Sequence, residues 1–516
     1  MIARVESYAL FGLEGVPVTV EADISKGIPS FDMVGLPDAA VKESRERVKS
    51  AVKNSGLMFP NHKITVNYAP AYVKKEGSAL DLATAISLLK GEGALEADTN
   101  GIIFLGELAL NGELRPVRGV LPAVISAREK DYKTFIVPAE NAKEAGYVGG
   151  VDVYAARTLR EVVDHLSGFS PLSPVRCEEF RAAQSEKAGA DGNNELSAHD
   201  LSFVKGQEIA KRALEVAVAG GHNILFVGPP GSGKTMLARA IPTVLPDLSF
   251  EEALEITKIH SVAGTLGENG IITERPFRTP HHTATTVSLC GGGNKTVHPG
   301  EISLAHGGVL FLDELPEYNR STLEALRQPL EDGVITVSRA GGTVTYPASF
   351  MLCASMNPCP CGNYGSATRQ CTCTPSEIKR YRARISGPLL DRIDIQVEVD
   401  GVTYDDLSGG ENGETSAEIK KRTDRARKIQ RERYAGENVN TNSEMNEKDI
   451  RKYCALSKEC DDILREAFTS LRLSARARSR ILKVARTIAD LSGEEHILPE
   501  HVMEAVSYRT YGAEEE

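Results

Sequence analysis

The sequence contains no apolar run that approaches the roughly 20 residues needed to cross a membrane. Its first residues, MIARVESYAL, lack the long apolar stretch and the small-residue cleavage site of a signal peptide. Nine cysteines in 516 residues do not indicate a disulfide framework. Positive charge is also scarce, because 60 lysines and arginines face 71 aspartates and glutamates, a net charge of -11. We therefore predict a cytoplasmic protein with no membrane partner. The net charge argues against a generally basic nucleic-acid surface but still permits a local basic channel.

The pattern of apolar and polar segments predicts four successive regions. Residues 1–168 alternate short strands and helices, which indicates a first domain of mixed structure. Residues 169–200 are polar, with Ser, Glu, Ala and Gly-Asn-Asn, which indicates a linker. Residues 201–400 have the strand–loop–helix rhythm of an α/β domain, a parallel sheet flanked by helices. Residues 401–516 are mostly helical.

The segment NILFVGPPGSGKTMLARAI carries the strongest chemical signal in the sequence. An apolar strand at 223–227 leads into G-x-x-x-x-G-K-T and then into a helix, which is the context that a phosphate-binding loop requires. Backbone N–H groups and the helix N-terminus would cradle the phosphate oxygens of ATP. Lys234 would reach the β and γ phosphates, and the Thr235 hydroxyl would bind Mg2+. The predicted nucleotide-binding residues are Gly228, Pro229, Pro230, Gly231, Ser232, Gly233, Lys234 and Thr235.

Two further predicted strands end in polar side chains. GGVLFLDEL contains a buried strand at 309–312 that ends in Asp313 and Glu314. Asp313 would hold Mg2+, and Glu314 would polarise the attacking water. SFMLCASMN ends in Asn357, which would orient that water if the strand ends lie side by side. The alternative for Asn357 is a simple turn asparagine.

These three strand ends resemble the Walker A, Walker B and sensor 1 elements of AAA+ ATPases. GPLLDRIDIQVEV resembles the stretch that carries the arginine finger in Mg-chelatase motor subunits and MCM helicases, and Arg392 is the matching residue. LSARARSRILKVARTIADL resembles the sensor 2 segment of the helical lid, which implies that Arg476 lies near the γ-phosphate. A neighbouring subunit supplies an arginine finger, so the resemblance implies a homo-oligomeric ring, usually a hexamer. Arg384 is a rival finger, and surface salt bridges are the alternative for Arg392 and Arg476.

A serine motif in the first region raises the question of proteolysis. KKEGSALDLA aligns with the serine motif of Lon proteases, and the segment from Gly106 looks like the one that follows it in Lon and in the Lon-like domain of RadA recombination proteins. Without a gap, however, the catalytic serine falls on Ala79, and no lysine occurs between Lys90 and Lys130 to complete the Ser–Lys dyad. A serine without a base is only a hydroxyl. We predict that Ser78 is a helix N-cap and that this Lon-protease-like (ribosomal protein S5 domain 2-like) α+β domain is not a protease.

The whole chain resembles one family in particular. RPFRTPHH, PGEISLAHGGVLFLDELPE and SGPLLDRID are similar to strings in the ComM/YifB family of Mg-chelatase-like AAA+ ATPases. This resemblance implies a P-loop AAA+ module with a helical lid, preceded by a Lon-like domain, and an ATPase that uses ATP and Mg2+. Family members act in natural transformation as ring-shaped motors on branched DNA, which implies branch migration or helicase activity with DNA and recombination proteins as partners. The alternative is a protein-remodelling ATPase like the chelatase motor.

Two inserts in the predicted ATPase could reach a substrate. One occupies 260–300, and the other, GVITVSRAGGTVTYPA, is predicted as a hairpin that points into the central pore as in related rings. Six copies of one arginine would form a positive collar that binds phosphates without sequence specificity. The alternative for these inserts is packing between subunits, and a basic segment at 420–433 indicates either a DNA-facing helix or a solvated face. The candidates for DNA contact are Arg278, Lys295 and Arg339.

Four of the nine cysteines are clustered in NPCPCGNYGSATRQCTCTP, directly after Asn357. Two C-x-C pairs can offer four thiolates to one zinc ion, although this spacing is tighter than the common C-x2-C. The alternative is four reduced thiols in a loop. The candidate zinc ligands are Cys359, Cys361, Cys371 and Cys373.

Overall fold

The computed structural model describes residues 2–36, 38–73, 75, 77–175, 180, 197–293, 297–339, 342–366, 369–401, 413–437, 439–471 and 473–509.

The chain begins with a long antiparallel hairpin. The hairpin strands are β1 (Ile2–Phe11) and β2 (Glu14–Ser25). Alternate residues of β2 are buried, among them Val18, Val20 and Ala22. This period of two is typical of a strand with one face on a core.

A seven-stranded sheet forms around this hairpin. Its other strands are β3 (Ser30–Val34), β4 (Lys63–Ala69), β5 (Ile102–Phe104), β8 (Thr134–Pro138) and β9 (Asp152–Ala156), while β6 (Glu107–Leu108) and β7 (Leu114–Arg115) form a separate short hairpin. The order across the sheet is β3–β4–β2–β1–β5–β8–β9. The helices of this region are α1 (Ala39–Asn54), α2 (Asp81–Glu92), α3 (Val120–Arg128), α4 (Ala142–Gly146) and α5 (Leu159–Leu166). Strands and helices thus form the predicted α+β domain.

Helix α2 corrects the prediction for Ser78. The helix begins at Asp81, and its N-cap is Leu80, whose side chain makes no capping hydrogen bond. The Ser78 carbonyl, not its hydroxyl, accepts a hydrogen bond from the Asp81 N–H at 3.1 Å. The Ser78 hydroxyl donates instead to the Glu107 carboxylate. The predicted N-cap role is therefore wrong, because the helix starts one turn later than the serine.

A five-stranded parallel sheet forms the second region. Its strands are β10 (Ile224–Val227), β11 (Phe277–Arg278), β14 (Val309–Leu312), β17 (Met351–Met356) and β18 (Ile395–Glu398), in the order β11–β14–β17–β10–β18. Two hairpins lie outside this sheet, β12 (Gly291–Gly292) with β13 (His298–Pro299) and β15 (Val334–Arg339) with β16 (Gly342–Pro347). Every residue of β10, β14 and β17 is buried, as expected for central parallel strands covered on both faces.

Helices surround this sheet and complete the chain. Those between and beside the strands are α6 (Glu208–Gly220), α7 (Lys234–Val244), α8 (Phe250–Ala263), α9 (Thr286–Cys290), α10 (Glu301–Leu304), α11 (Arg320–Glu324), α12 (Pro329–Asp332), α13 (Pro375–Arg382) and α14 (Gly387–Leu390). The C-terminal helices are α15 (Ser416–Arg433), α16 (Glu447–Tyr453), α17 (Lys458–Ser470), α18 (Ala475–Ser492) and α19 (Pro499–Ser507). Single 3-10 turns occur at Ala139–Asn141, Ser197–His199, Leu201–Phe203, Leu315–Glu317 and Asn442–Glu444.

Several basic residues of helix α15 hold it against α6 and α18. Arg422 pairs with the buried Glu215 of α6, and Arg433 donates to the buried Asp490 of α18 at 2.8 Å. Arg427 donates to a backbone carbonyl of α6 at 2.8 Å. Other basic residues of the helix are exposed to solvent, as the alternative of a solvated face predicted. They are Lys421, Arg425, Lys428 and Arg431.

The N-terminal region, which contains the seven-stranded sheet, is packed directly on the region that contains the parallel sheet. The N–H of Gly119 donates to the carbonyl of Ser261 at the end of α8, at 3.1 Å. The Ser261 hydroxyl donates to the buried Glu144 carboxylate at 2.6 Å. Burial raises the pKa of Glu144, while the hydrogen bonds from Ser261 and Asn141 oppose that rise. A second contact joins the β1–β2 turn to the β15–β16 hairpin, because Leu13 packs against the apolar cluster that contains Val344.

The α/β fold class is as predicted, and the region boundaries at 168, 200 and 400 stay predictions. Most of the predicted linker, 176–179 and 181–196, lies outside the described residues. Within the described part of the chain, no helix is both long enough and apolar enough to span a bilayer.

Candidate nucleotide site

The strand order brings the three predicted motifs to one edge of the parallel sheet. Strand β17 lies between β14 and β10, so that Ala354 is level with both Leu312 and Leu225. The carboxyl ends of parallel strands therefore open at the same edge, which is where ligands bind in sheets of this kind. The phosphate loop, the Asp313–Glu314 pair and Asn357 all follow these strand ends.

The phosphate loop turns sharply into α7. Gly231 and Gly233 have φ of 79° and 93°, in the left-handed region that favours glycine. Gly233 is the N-cap of α7, so the helix N-terminus faces the loop. This is the geometry in which backbone N–H groups and the helix dipole together attract a phosphate.

Lys234 is folded onto the loop that it follows. Its Nζ donates to the carbonyls of Gly228 at 2.7 Å and Pro229 at 2.8 Å, and to Asn357 Oδ1 at 3.3 Å. Burial lowers the pKa of Lys234 to about 8, while the nearby Asp313 and Glu314 carboxylates act in the opposite direction. The amine is thus a cation held beside the residues of all three motifs.

The donors for a magnesium ion lie together. The Thr235 hydroxyl donates to Asp313 Oδ2 at 3.1 Å, so a hydroxyl and a carboxylate oxygen meet below the phosphate loop. These hard oxygen donors suit Mg2+, which commonly takes one or two carboxylates and completes its shell with phosphate and water. Ser355 of β17 also donates to Asp313, through Oδ1, and sequence reasoning missed this residue. Its signal was a single hydroxyl in an apolar strand, two residues before Asn357 and hence on the same face.

Glu314 is held in an unusual backbone conformation. Its φ is 53°, a left-handed value that is rare for residues other than glycine and is often found at functional sites. Its carboxylate is 56% exposed, and Oε2 lies 3.6 Å from His282 Nδ1. The His282 ring lies against that of His281, tilted by 34° with the centroids 4.1 Å apart. The structure thus adds His282, which sequence reasoning did not select, to the surroundings of Glu314.

The predicted arginine finger, Arg392, and the predicted sensor 2 residue, Arg476, converge on one glutamate. Arg392 has a side chain only 6% exposed, pairs with Glu331 of α12 and donates from Nη1 to Pro388 O at 2.6 Å. The Arg392 and Arg476 charges both lower the pKa of Glu331.

The rival finger, Arg384, occupies a more open position. Its side chain is 52% exposed and pairs with Glu317 at 2.9 Å, just after the Asp313–Glu314 pair. Its guanidinium also lies over the Tyr381 ring, 5.8 Å from the centroid. Arg384 therefore stays the alternative to Arg392.

The three candidates for DNA contact have different surroundings. Arg278 lies on the edge strand β11 and makes a bidentate ion pair with Glu301, at 2.7 and 2.9 Å, so its guanidinium already has a partner. Lys295 lies outside the described residues. Arg339 is the last residue of β15, paired with Gly342 at the end of the hairpin. The structure contains the predicted hairpin, while its place in a central pore and a DNA contact by Arg339 stay predictions.

The four clustered cysteines form one group. Their sulfur atoms all lie within 4.8 Å of one another. The contacts from Cys359 Sγ to Cys361 and Cys371 Sγ are 3.4 and 3.6 Å. Four thiolates around a zinc ion, each at about 2.3 Å, would be separated by about 3.8 Å. The cluster therefore fits a tetrahedral metal site.

Three family descriptions match the chain in the order of its regions. "Subunit ChlI of Mg-chelatase" matches 20–141, "Magnesium chelatase, subunit ChlI" matches 200–407, and "Magnesium chelatase, subunit ChlI C-terminal" matches 413–509. Part of the chain is also similar to Lon protease 2 of Bacillus subtilis, with 27% identity over 147 residues, 27% of this chain and 26% of that protein.

Full-length relatives confirm the family resemblance. Competence protein ComM of Haemophilus influenzae is 44% identical over 510 residues, covering 98% of this chain and 97% of that protein. The YifB protein of Escherichia coli is 44% identical over 511 residues, with the same coverage of 98% and 97%. Together with the parallel sheet and its phosphate loop, these matches show that the chain belongs to the ComM/YifB family of Mg-chelatase-like AAA+ ATPases.

Proposed function

We propose that this ATPase is a ring-forming motor that moves DNA strands, by branch migration or helicase activity, during recombination or natural transformation. The observation that carries the proposal is the β15–β16 hairpin, which connects the strand of the hydrolytic carboxylates to the sensor strand and ends at Arg339. The name of one relative, competence protein ComM of Haemophilus influenzae, agrees with a role in natural transformation.

The hairpin has one apolar face and one polar face. Its inner face is apolar and buried, through Ile335, Val337, Val344 and Tyr346. Its outer face carries hydroxyl pairs across the strands, Thr336 with Thr345 at 3.1 Å and Ser338 with Thr343 at 3.0 Å. A stiff ribbon with a polar face and a basic residue at its end suits contact with a phosphate backbone, which gives binding without sequence specificity.

The nucleotide site supports a division of roles in hydrolysis. Lys234 and the loop N–H groups bind the phosphates, and Thr235 and Asp313 would hold Mg2+, which supplies charge neutralisation on the phosphate oxygens. Glu314 orients and polarises the attacking water, and Asn357, which already contacts Lys234, fixes its position. Ser355 positions the Asp313 carboxylate from the neighbouring strand.

Arg392 supports a ring in which each ATP lies between two subunits. Within its own subunit, the Arg392 guanidinium is held by the Glu331 carboxylate and the Pro388 carbonyl, not by residues of the phosphate loop. A neighbouring subunit that approaches this cluster with its phosphate loop would complete the site. Arg392 would then exchange Glu331 for the γ-phosphate, where an arginine stabilises the charge of the transition state.

We also propose that the four clustered thiolates hold one structural zinc ion, since their sulfur–sulfur distances suit tetrahedral ligation.

The Lon-like domain serves assembly rather than proteolysis. Its Ser78 donates to Glu107, a carboxylate rather than the lysine that a Lon dyad uses. Casein degradation that depends on Ser78 would refute this part of the proposal.

A protein-remodelling ATPase is the second candidate, and the chelatase matches along the chain favour it. One assay separates the two. Purified protein and ATP are given a labelled four-way junction, a forked duplex and a folded protein, with Glu314→Gln as the hydrolysis-deficient control. The DNA proposal expects ATP-dependent strand movement and DNA-stimulated hydrolysis. If only the folded protein stimulates ATP hydrolysis and no branched DNA does, the result would contradict the DNA proposal and favour protein remodelling.

A further inference from the structure

The loop that carries the four cysteines is organised around its sulfur atoms. The N–H of Tyr364 donates to Cys359 Sγ at 3.3 Å, and the N–H of Cys361 donates to Cys373 Sγ at 3.4 Å. The N–H of Cys373 donates to Cys371 Sγ, also at 3.4 Å. Hydrogen bonds of this kind orient metal ligands and stabilise their negative charge. Within the described residues, three sulfurs of the cluster thus have the surroundings of bound thiolates.

The same loop is tied to the ATPase core on both sides. Asn357 precedes it and accepts a hydrogen bond from Lys234. Helix α13 follows it, and Arg382 of that helix donates to Pro358 O at 3.3 Å while its guanidinium lies over the Tyr364 ring at 5.3 Å. A metal held in this loop would therefore be linked rigidly to the sensor strand.

The loop also touches the phosphate loop itself. Gly362 lies in the turn between the first two cysteines and the rest of the cluster, and its N–H donates to Cys359 O at 3.0 Å. Its φ is 80°, and a Cβ atom added to it would lie 2.6 and 2.8 Å from Pro230 Cδ and Cγ. Contacts this short do not occur between real atoms, so the turn lies directly against Pro230 and leaves no room there for a side chain. The cysteine loop is therefore one wall of the phosphate loop.

We propose that the zinc ion held by these four thiolates fixes this wall, so that zinc occupancy sets the affinity of the site for ATP. The inference rests on the zinc site proposed above and is independent of whether the motor acts on DNA or protein. Zinc here is a positioning element: it touches neither nucleotide nor water, and it acts through Gly362 on Pro230.

Two glycine substitutions test the contact without removing a ligand. Gly362→Ala places a methyl group against Pro230, whereas Gly365→Ala imposes similar backbone strain, at φ 75°, with no atom within 4 Å. Overpacking of this size predicts a rise of about tenfold in the Kd for ATP in Gly362→Ala, with zinc still bound at one per chain. Gly365→Ala keeps both the zinc and the affinity of the unmodified chain. Equal affinities in the two zinc-loaded variants would overturn the contact.

Zinc removal tests the metal. Elemental analysis and fluorescent-nucleotide titration are carried out on the full chain before and after chelation, with circular dichroism to verify that the fold persists. We expect the Kd for ATP to rise by about tenfold on chelation and to recover with added zinc but not with Mg2+. Cys371→Ser, with one ligand lost, should behave like the chelated protein, and Cys290→Ala, outside the cluster, like the untreated one. A protein that contains no zinc, or one whose folded, chelated form binds ATP with unchanged affinity, overturns the inference. The DNA response at saturating ATP is measured separately, so its failure would be recognised as failure of the motor proposal alone.

Discussion

Lys234 combines two properties that oppose each other, since it is a cation and it is buried. Its exposed fraction is only 8%, and its Nζ depends on two backbone carbonyls for hydrogen bonds. Burial therefore lowers its pKa to about 8. A triphosphate brings negative charge to the amine and must raise this pKa again.

This difference predicts that ATP binding takes up a proton above pH 8. Below that pH the amine is already charged, so affinity should be flat, and above it affinity should fall by up to about tenfold per pH unit. Calorimetric titration in two buffers of different ionisation heat measures the uptake, which should approach one proton near pH 9 and vanish near pH 7. A binding heat that is independent of the buffer at the higher pH would contradict the lowered pKa.

Substitutions at two residues should separate binding from hydrolysis. Lys234→Ala removes the amine that binds the phosphates, so nucleotide binding should be lost. Glu314→Gln keeps the shape of the side chain and removes the charge that polarises water, so binding should persist while turnover falls by about 10²- to 10⁴-fold. Nucleotide titration and phosphate release measure the two quantities. Normal turnover by Glu314→Gln would refute the role of that carboxylate.

At the scale of elements, one buried carboxylate joins the sheet to the helical lid. Asp394, directly before β18, pairs with Arg480 of α18 and accepts from the N–H of Asn223 at 2.9 Å. Burial alone would raise its pKa, but the charges of Arg480 and Arg509 hold the pKa well below its usual range. The position of the lid thus depends on an ion pair whose carboxylate is buried.

Asp394→Asn should therefore destabilise the fold by about 3–5 kcal/mol, because the partly buried Arg480 loses its counter-charge. Thermal unfolding measures the change. Asp461→Asn is the matched control, since Asp461 is 45% exposed, pairs with Arg465 at i,i+4 and should cost under about 1 kcal/mol. The depressed pKa also predicts that the contribution of Asp394 is present above its ordinary pKa of 3.8 and is lost as pH falls further. Equal melting temperatures for the two variants would show that the pair does not hold the lid.

The β15–β16 hairpin is the second element with a prediction of its own. Arg339→Ala should lose most of the DNA stimulation of ATP hydrolysis and most strand movement. Because phosphate contacts carry no sequence information and release counterions, the defect should be similar across DNA sequences and should shrink at high salt. Arg465→Ala, at a side chain 74% exposed on α17, is the control and should move junctions normally. An Arg339→Ala protein as fast as the control would mean that the hairpin is not the DNA contact.

At the scale of the whole molecule, the placement of Arg392 predicts hydrolysis that depends on assembly. Arg392→Ala should assemble with nucleotide and hydrolyse ATP about 10³-fold more slowly, since the finger stabilises transition-state charge. Mixing it with Lys234→Ala subunits should restore part of the activity, because some sites then pair an intact Lys234 with an intact Arg392 of the neighbour. Mixed rings without any recovery would instead favour Arg384 or a site completed within one subunit.

The nucleotide-binding motif could be predicted because it is local. The strand, the glycine-rich turn and the helix of the phosphate loop are contiguous in sequence, so residue types and spacing determine their geometry together. The same holds for the β15–β16 hairpin, whose alternating residues and turn lie within one short segment. Ser78 failed as an N-cap for a related reason, since a shift of two residues in the helix start changes which atoms face the unpaired N–H groups.

The amino-acid sequence by itself determined the phosphate loop, the acidic strand end, the cysteine cluster and the absence of a lysine for a Lon dyad. Only the tertiary structure decided their neighbours. His282 reaches Glu314 because β11 lies beside β14, and Ser355 reaches Asp313 because β17 lies on its other side. Gly362 meets Pro230 across 132 positions of the chain only when β17 is paired with β10. Strand order is set by the packing of the whole sheet, and no local pattern of residues carries that information.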